Sequence, residues 1–435
     1  MVSMPFPRYR RQNILLVIFA SLGILGLLIR CIYLVDTGLL SHGPGFVEDQ
    51  ASNLLSALSM LFCASVLLPM LVLSIRTLKM QAVRPAVIPA IRSRQLVGLA
   101  LVWVVVIILG SVISGMFNYG WAAAAVFFLP GIGLPILLIV WIGAGGLPSG
   151  SVRRLWSVYG ISMVGSTLGA VLLEYLLVGV AVGIIGIVAT ANPELLNLLN
   201  QIKNQVTSTK AGDIQSLVIT LAPYLTNPLV ILSILVFASM LTPMIEETLK
   251  PAVLWLLGKR MRSPAEGFLL GALCGAGFAT MEGLLAASSA SQMWGLGQAG
   301  RLAASLMHIT ASGILGWGIA SARLKQRYGR LALAYLLAVS IHGIWNGSVV
   351  LAVYGSLRMV THNTQGDLFG GILVIVGLTS LFLILIIIGT ALPLINHHLR
   401  RSAVPLAPQV PLPLAEEKRE SSSPGHSDII APPTN

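Results

Sequence analysis

The chain has 435 residues, of which 56% are hydrophobic and only 10% charged, with a formal net charge of +12. A water-soluble protein carries about a quarter charged residues, so this composition excludes a soluble globular domain. Apolar runs of span length recur along the chain and predict an all-α, polytopic membrane protein.

Period-2 alternation is absent, which argues against a β-barrel. Basic residues sit in short clusters between apolar runs, which argues against nucleic acid as a partner and leaves the lipid bilayer. The first run, Ile14 to Val35, follows Arg8, Arg10 and Arg11. It is longer than the apolar core of a signal peptide and is read as a retained span.

From there the runs predict about ten spans, near 13–35, 54–75, 96–118, 122–146, 157–190, 229–257, 267–288, 302–322, 331–354 and 371–395. With the N-terminus inside, 21 of the 27 Lys and Arg fall in cytoplasmic segments and four outside; Arg30 and Lys250 lie within spans. That asymmetry predicts both termini in the cytoplasm. The fifth run is too long for one upright helix, so a strong tilt, a break at a glycine or an extension beyond the bilayer is expected.

The domain division expected is residues 1–190 as N-terminal transmembrane helices, 191–228 as an extracytoplasmic amphipathic segment, 229–395 as a catalytic transmembrane bundle and 396–435 as a disordered cytoplasmic tail. The second segment contains "NPELLNLLNQIKNQV", with leucines at helical spacing; a soluble cap is the alternative. The tail is rich in Pro and Ser. Cys31, Cys63 and Cys274 lie singly in apolar runs and are read as packing residues.

Ionisable groups inside the spans are costly, about 2.5–3.5 kcal/mol each at the bilayer centre. The first five spans hold few. Arg30, near a span end, and Glu174, in the middle of span five, are read as structural. Spans six to nine each carry such a group in a local pattern. Span six has "EETLK", with Glu246, Glu247 and Lys250. Span seven has "FATMEG", with Phe278 and Glu282 one turn apart. Span eight has "HITASGILG", with His308, Ser312 and Gly316 down one side. Span nine has "HGIWN", with His342 and Asn346. The i, i+4 spacing puts each set on one helix face.

At about 1.5 Å per residue, Glu246, Glu282, His308 and His342 all lie roughly 16–22 Å from the cytoplasmic end of their spans. A shared level suggests one site. A buried glutamate can activate water, and an amide can donate to an oxyanion. Zinc held by Glu282, His308 and His342 with an open position for water is the second route to hydrolysis. A proton- or cation-coupled transporter using the same cluster is the alternative function, though no inverted repeat accompanies it.

These four motifs, in this order over residues 242–347, resemble the PrsW family of intramembrane proteases, within the superfamily of CAAX prenyl endopeptidases and bacteriocin-processing enzymes. The resemblance implies a membrane-protein substrate. It also implies Glu246, Glu247, Glu282, His308, His342 and Asn346 as catalytic residues, with Glu246 as base and Lys250, Phe278, Ser312 and Gly316 in support. His342 and Asn346 match the pair that supports the water and the oxyanion in the CAAX relatives. Some PrsW proteins cleave a membrane-anchored anti-sigma factor, which offers that partner and a bacterial plasma membrane by analogy. Metal-dependent and glutamate-only mechanisms both stay open.

Overall fold

The structure, a computed structural model, describes residues 6–40, 46–79, 81, 85–116, 120–208, 214–257, 261–287, 294–361 and 367–402. Among them ten helical segments are long and apolar enough to cross a membrane, the number the apolar runs predict. The first four are α1 (Phe6–Leu40), α2 (Phe46–Leu78), α3 (Ser93–Met116) and α4 (Gly120–Ala144). Between them, β1 (Pro85–Val87) pairs antiparallel with β2 (Pro148–Ser151), joining the loops before α3 and after α4. Strands this short leave no alternation to read in the sequence.

The fifth span runs continuously over 39 residues, Val152–Thr190. It joins α5 (Val152–Gly160) through a π-helical stretch, Ile161–Ser166, to α6 (Thr167–Thr190). At 1.5 Å per residue it is about 58 Å long, well beyond a hydrocarbon core of about 30 Å. The chain is therefore not broken at a glycine, and the length is taken up by tilt or by helix beyond the apolar layer.

Next come α7 (Pro193–Ser208) and α8 (Ile214–Leu225). The Asn192 side chain accepts from the backbone N–H groups of Glu194 and Leu195, and Pro193 opens the helix. This is a strong start signal, a side-chain cap followed by a residue with no N–H to satisfy. None of the residues of α7 is buried.

The sixth span joins α9 (Pro228–Val236) through a second π-helical stretch, Phe237–Leu241, to α10 (Thr242–Leu249), and α11 (Ala252–Leu257) follows after a break. The last four spans are α12 (Pro264–Ala287), α13 (Trp294–Lys325), α14 (Tyr328–Thr361) and α15 (Leu368–Ser402).

The expected tail begins too early, because α15 continues to Ser402. Asn396 ties this end down, its Nδ2 donating to the carbonyls of Ile142 (2.8 Å) and Gly145 (3.3 Å), and Leu399 is buried. The rest of the expected tail, 403–435, lies outside the described residues, as do Lys210, Lys259 and Arg260.

Helix α12 is the centre of the bundle. Its most apolar window is 89% buried, against 11% for α3 and 17% for α1, most of whose leucines, valines and isoleucines face outward as lipid-facing helices require. It packs on α13, α4, α5 and the first π stretch. The contact with α13 is built on glycine. Gly267, Gly271 and Gly275 recur every fourth residue, and a Cβ on each would strike the α13 backbone near Gly316, Ser312 and His308 respectively. Small residues at this spacing let two membrane helices approach closely. The antiparallel register so fixed carries Glu282, two turns beyond Gly275, to the side of Arg301 and His308.

Candidate active site

Two prolines shape the span that carries the paired glutamates. Proline has no N–H and its ring crowds the carbonyl four residues earlier. Ahead of Pro243, the Thr242 N–H bonds the Phe237 carbonyl, which leaves the Ala238 carbonyl without its α-helical donor. Asn346 supplies one, its Nδ2 donating at 2.9 Å. The neighbouring Ser239 carbonyl lies so close to Gly343 that a side chain there would collide with it.

After Pro251 restarts the chain, Leu254 N–H bonds the Pro251 carbonyl at 2.8 Å. The Lys250 carbonyl faces the hydroxyls of Ser162 and Ser166, each at 3.4 Å, from the first π stretch. Two local distortions, each met by polar groups of a neighbouring span, thus bracket residues 242–250.

Between them the side chains converge. The Lys250 ammonium is fully buried and donates to Glu247 Oε1 at 2.6 Å and to His308 Nδ1 at 2.7 Å. It also ion-pairs with Glu246 Oε2 at 2.9 Å and lies 4.3 Å from the centre of the Phe278 ring. An ammonium has only hydrogens to offer, so His308 Nδ1 accepts and the ring hydrogen sits on Nε2. That nitrogen donates to Glu282 Oε2 at 2.7 Å, and Glu282 Oε1 pairs with Arg301 at 3.2 Å.

On the other flank, His342 Nδ1 lies 3.0 Å from Glu247 Oε1, so it carries the hydrogen. Its Nε2 faces Glu246 Oε2 at 3.8 Å. Ser312 donates to the second Glu247 oxygen at 3.3 Å, and the two imidazoles meet edge to face at 5.0 Å.

Glu246, Glu247, Lys250, Phe278, Glu282, His308, Ser312 and His342 therefore form one connected cluster drawn from spans six to nine. Asn346 and Gly316 stand apart from it. The Asn346 amide holds the distorted backbone of span six, and Gly316 lies against the Gly271 backbone, where its job is helix approach. Both line up with the cluster in sequence because i, i+4 spacing marks a helix face but not the partner that the face meets.

Arg301 was absent from the expected set although the signal was present: it lies seven residues before His308, on the same face of α13. Glu174 Oε1 is buried with no hydrogen-bond partner among the described residues. A cavity of about 500 Å³ adjoins the cluster, lined by Ala238, Glu282, Trp294, Gln298, Arg301, Trp345 and Asn346, among others.

The expected metal set changes. Glu246, His308 and His342, rather than Glu282 with the two histidines, each present one donor atom, all within 4.8 Å of one another. Glu282 is taken up behind His308, on Nε2, the nitrogen opposite the one that faces Lys250 and the paired glutamates. Each histidine thus has a carboxylate at its back, Glu282 for His308 and Glu247 for His342, the arrangement that orients metal-binding imidazoles. Glu246 Oε2 is buried and no hydrogen-bond donor is aligned on it. Donor number and type fit a divalent metal with an open position.

A family model described as PrsW family intramembrane metalloprotease matches residues 168–385, half of the chain. The chain belongs to the PrsW family. No curated protein and no solved structure matches it. Membership makes the protein an intramembrane protease, and the ten apolar helices make it a multi-pass one acting on membrane-protein substrate. The PrsW match begins at the head of α6, upstream of the boundary at 229 expected from the sequence, so it takes in Glu174 as well as the whole cluster.

Proposed function

We propose that this PrsW-family protein hydrolyses a peptide bond of a membrane protein with Glu246 as the base that activates water. The observation that carries the reading is the position of Glu246 Oε2, buried, held by the Lys250 ammonium at 2.9 Å and facing the accepting Nε2 of His342 at 3.8 Å. The Glu246 side chain keeps 12% exposure, whereas Glu247 has none. The first carboxylate thus keeps an opening that the second lacks.

In this reading Glu246 removes a proton as the water oxygen attacks the scissile carbonyl carbon, and returns it to the leaving amine nitrogen as the C–N bond breaks. Glu247 is a positioning residue. It fixes the His342 tautomer and holds the Lys250 ammonium, whose charge offsets one of the two adjacent carboxylates. Glu282 does the same for His308. Asn346 gives one amide hydrogen to Ala238, and its second is the proposed donor to the oxyanion. A divalent metal held by Glu246, His308 and His342 would add polarisation of the carbonyl and a more acidic water.

Purified wild type and Glu246→Gln protein, reconstituted in liposomes with a membrane-protein substrate, test the proposal. Cleavage should vanish in the variant while helical content and melting temperature stay within error of wild type. Undiminished cleavage would remove Glu246 from the role of base.

The chain of contacts from Arg301 through Glu282, His308, Lys250 and Glu247 to His342 also supports a second reading, a proton- or cation-coupled transporter. A proton flux abolished by Glu246→Gln, with no substrate cleaved, would favour it. For the substrate we adopt the anti-sigma factor suggested by the family resemblance, in a bacterial plasma membrane. Comparative membrane proteomics of cells carrying wild type or Glu246→Gln should show a membrane-anchored protein of that class accumulating uncut in the variant.

A further inference from the structure

Charge balance explains why Lys250 is present but not why its ammonium touches the donor atoms themselves. Lys250 is wholly buried, and its cationic end sits among the atoms an ion would need. The ammonium is 2.7 Å from His308 Nδ1 and 2.9 Å from Glu246 Oε2. With His308 Nε2 committed to Glu282 at 2.7 Å, Nδ1 is the nitrogen left for an ion. Two of the three available donors are therefore already engaged by a positive charge.

The third contact, with Glu247 Oε1 at 2.6 Å, is the shortest and involves no member of the donor set. The Phe278 ring, 4.3 Å away, adds a cation–π contact that also survives any change at Glu246. Lys250 thus has two partners that share it with a metal and two that keep it.

We propose that the Lys250 ammonium is the resident cation of this centre, and that a divalent metal enters only by displacing it from Glu246 and His308 while Glu247 and Phe278 retain it. Two cations cannot occupy donors this close in a low-dielectric interior, where like charges about 4 Å apart repel strongly. The arrangement explains why one span carries two adjacent glutamates and a lysine. One carboxylate is shared between water, metal and ammonium, and the other anchors the ammonium in either state. The inference rests on the three-donor reading of Glu246, His308 and His342, and its readout is ion binding rather than cleavage, so it fails separately from the peptidase proposal.

The test is zinc titration of purified, detergent-solubilised full-length protein by calorimetry, with bound zinc counted by elemental analysis after dialysis. Lys250→Met should bind one zinc at least tenfold more tightly than wild type, and the gain should disappear in Lys250→Met/His308→Ala. Equal or weaker binding by folded Lys250→Met would overturn the proposal, as would a gain that persists without His308. Should Lys250→Met fail to fold with two unopposed carboxylates, Glu247→Gln/Lys250→Met keeps the charge balance and leaves all three donors in place. The same tenfold gain over Glu247→Gln alone is then expected, and its absence overturns the proposal.

Discussion

Glu246 and Glu247 are adjacent in sequence, yet helix geometry turns them about 100° apart, and the neighbours each one meets set its role. Glu247 meets Lys250, His342 and Ser312 and is sealed from solvent; Glu246 meets the Lys250 ammonium at 2.9 Å and faces a histidine lone pair. The same logic gives Glu282 its place behind His308. Glu282→Gln keeps the shape and one acceptor oxygen but loses the charge that orients His308 and pairs with Arg301. The expected result is a fall of about 10–100-fold in kcat with KM nearly unchanged, the usual cost of removing a partner behind a working histidine. Steady-state cleavage across a range of pH checks it, since a positioning role should also shift the pH profile. A rise in KM alone would instead place Glu282 in the wall of the cavity it lines. Six of the eight members of this cluster were legible as i, i+4 pairs on single helices, Glu247 only as the neighbour of Glu246, and His342 through a pair whose other member, Asn346, stands apart. Their pairing was not legible, because helix periodicity carries no information on which face meets which.

The helices themselves were legible because a bilayer forces long apolar runs, and hydropathy located all ten. It was silent on the two π stretches, which keep the same apolar character and differ only in which carbonyl each N–H finds. Pro243 was the one sequence cue to the second of them. The glycine ladder of α12 was equally plain in "GFLLGALCG" and is what brings Glu282 and His308 to hydrogen-bond distance. Gly271→Val tests that dependence, because any Cβ there meets the Gly316 Cα at 2.9 Å as well as the Ser312 carbonyl. Overpacking of this kind costs about 1–3 kcal/mol, so a clear drop in melting temperature and a loss of most activity are expected. Gly98→Val on α3 is the control, since a Cβ at Gly98 has no atom within 4 Å. Equal behaviour of the two variants would mean that the close approach of α12 and α13 does not set the site.

With one crossing for each of the ten candidate helices among the described residues, an even number, the two ends are expected on one side and the segment α7–α8, after five crossings, on the other. The charge distribution chooses between the two orientations. Basic residues flanking spans resist transfer across the membrane, and 21 of the 27 mark one face against four on the other. The expected arrangement therefore has the ends in the cytoplasm and α7–α8 outside. The side on which α7–α8 emerges is the side on which α7, a helix with no buried residue, is presented. Fusion of a reporter active only in the cytoplasm after residue 435, and insertion of one active only outside between α7 and α8, should both give signal. Exchanging the two reporters should abolish both signals. A silent first pair with an active exchanged pair would invert the protein, and with it the side of the membrane on which α7 is presented.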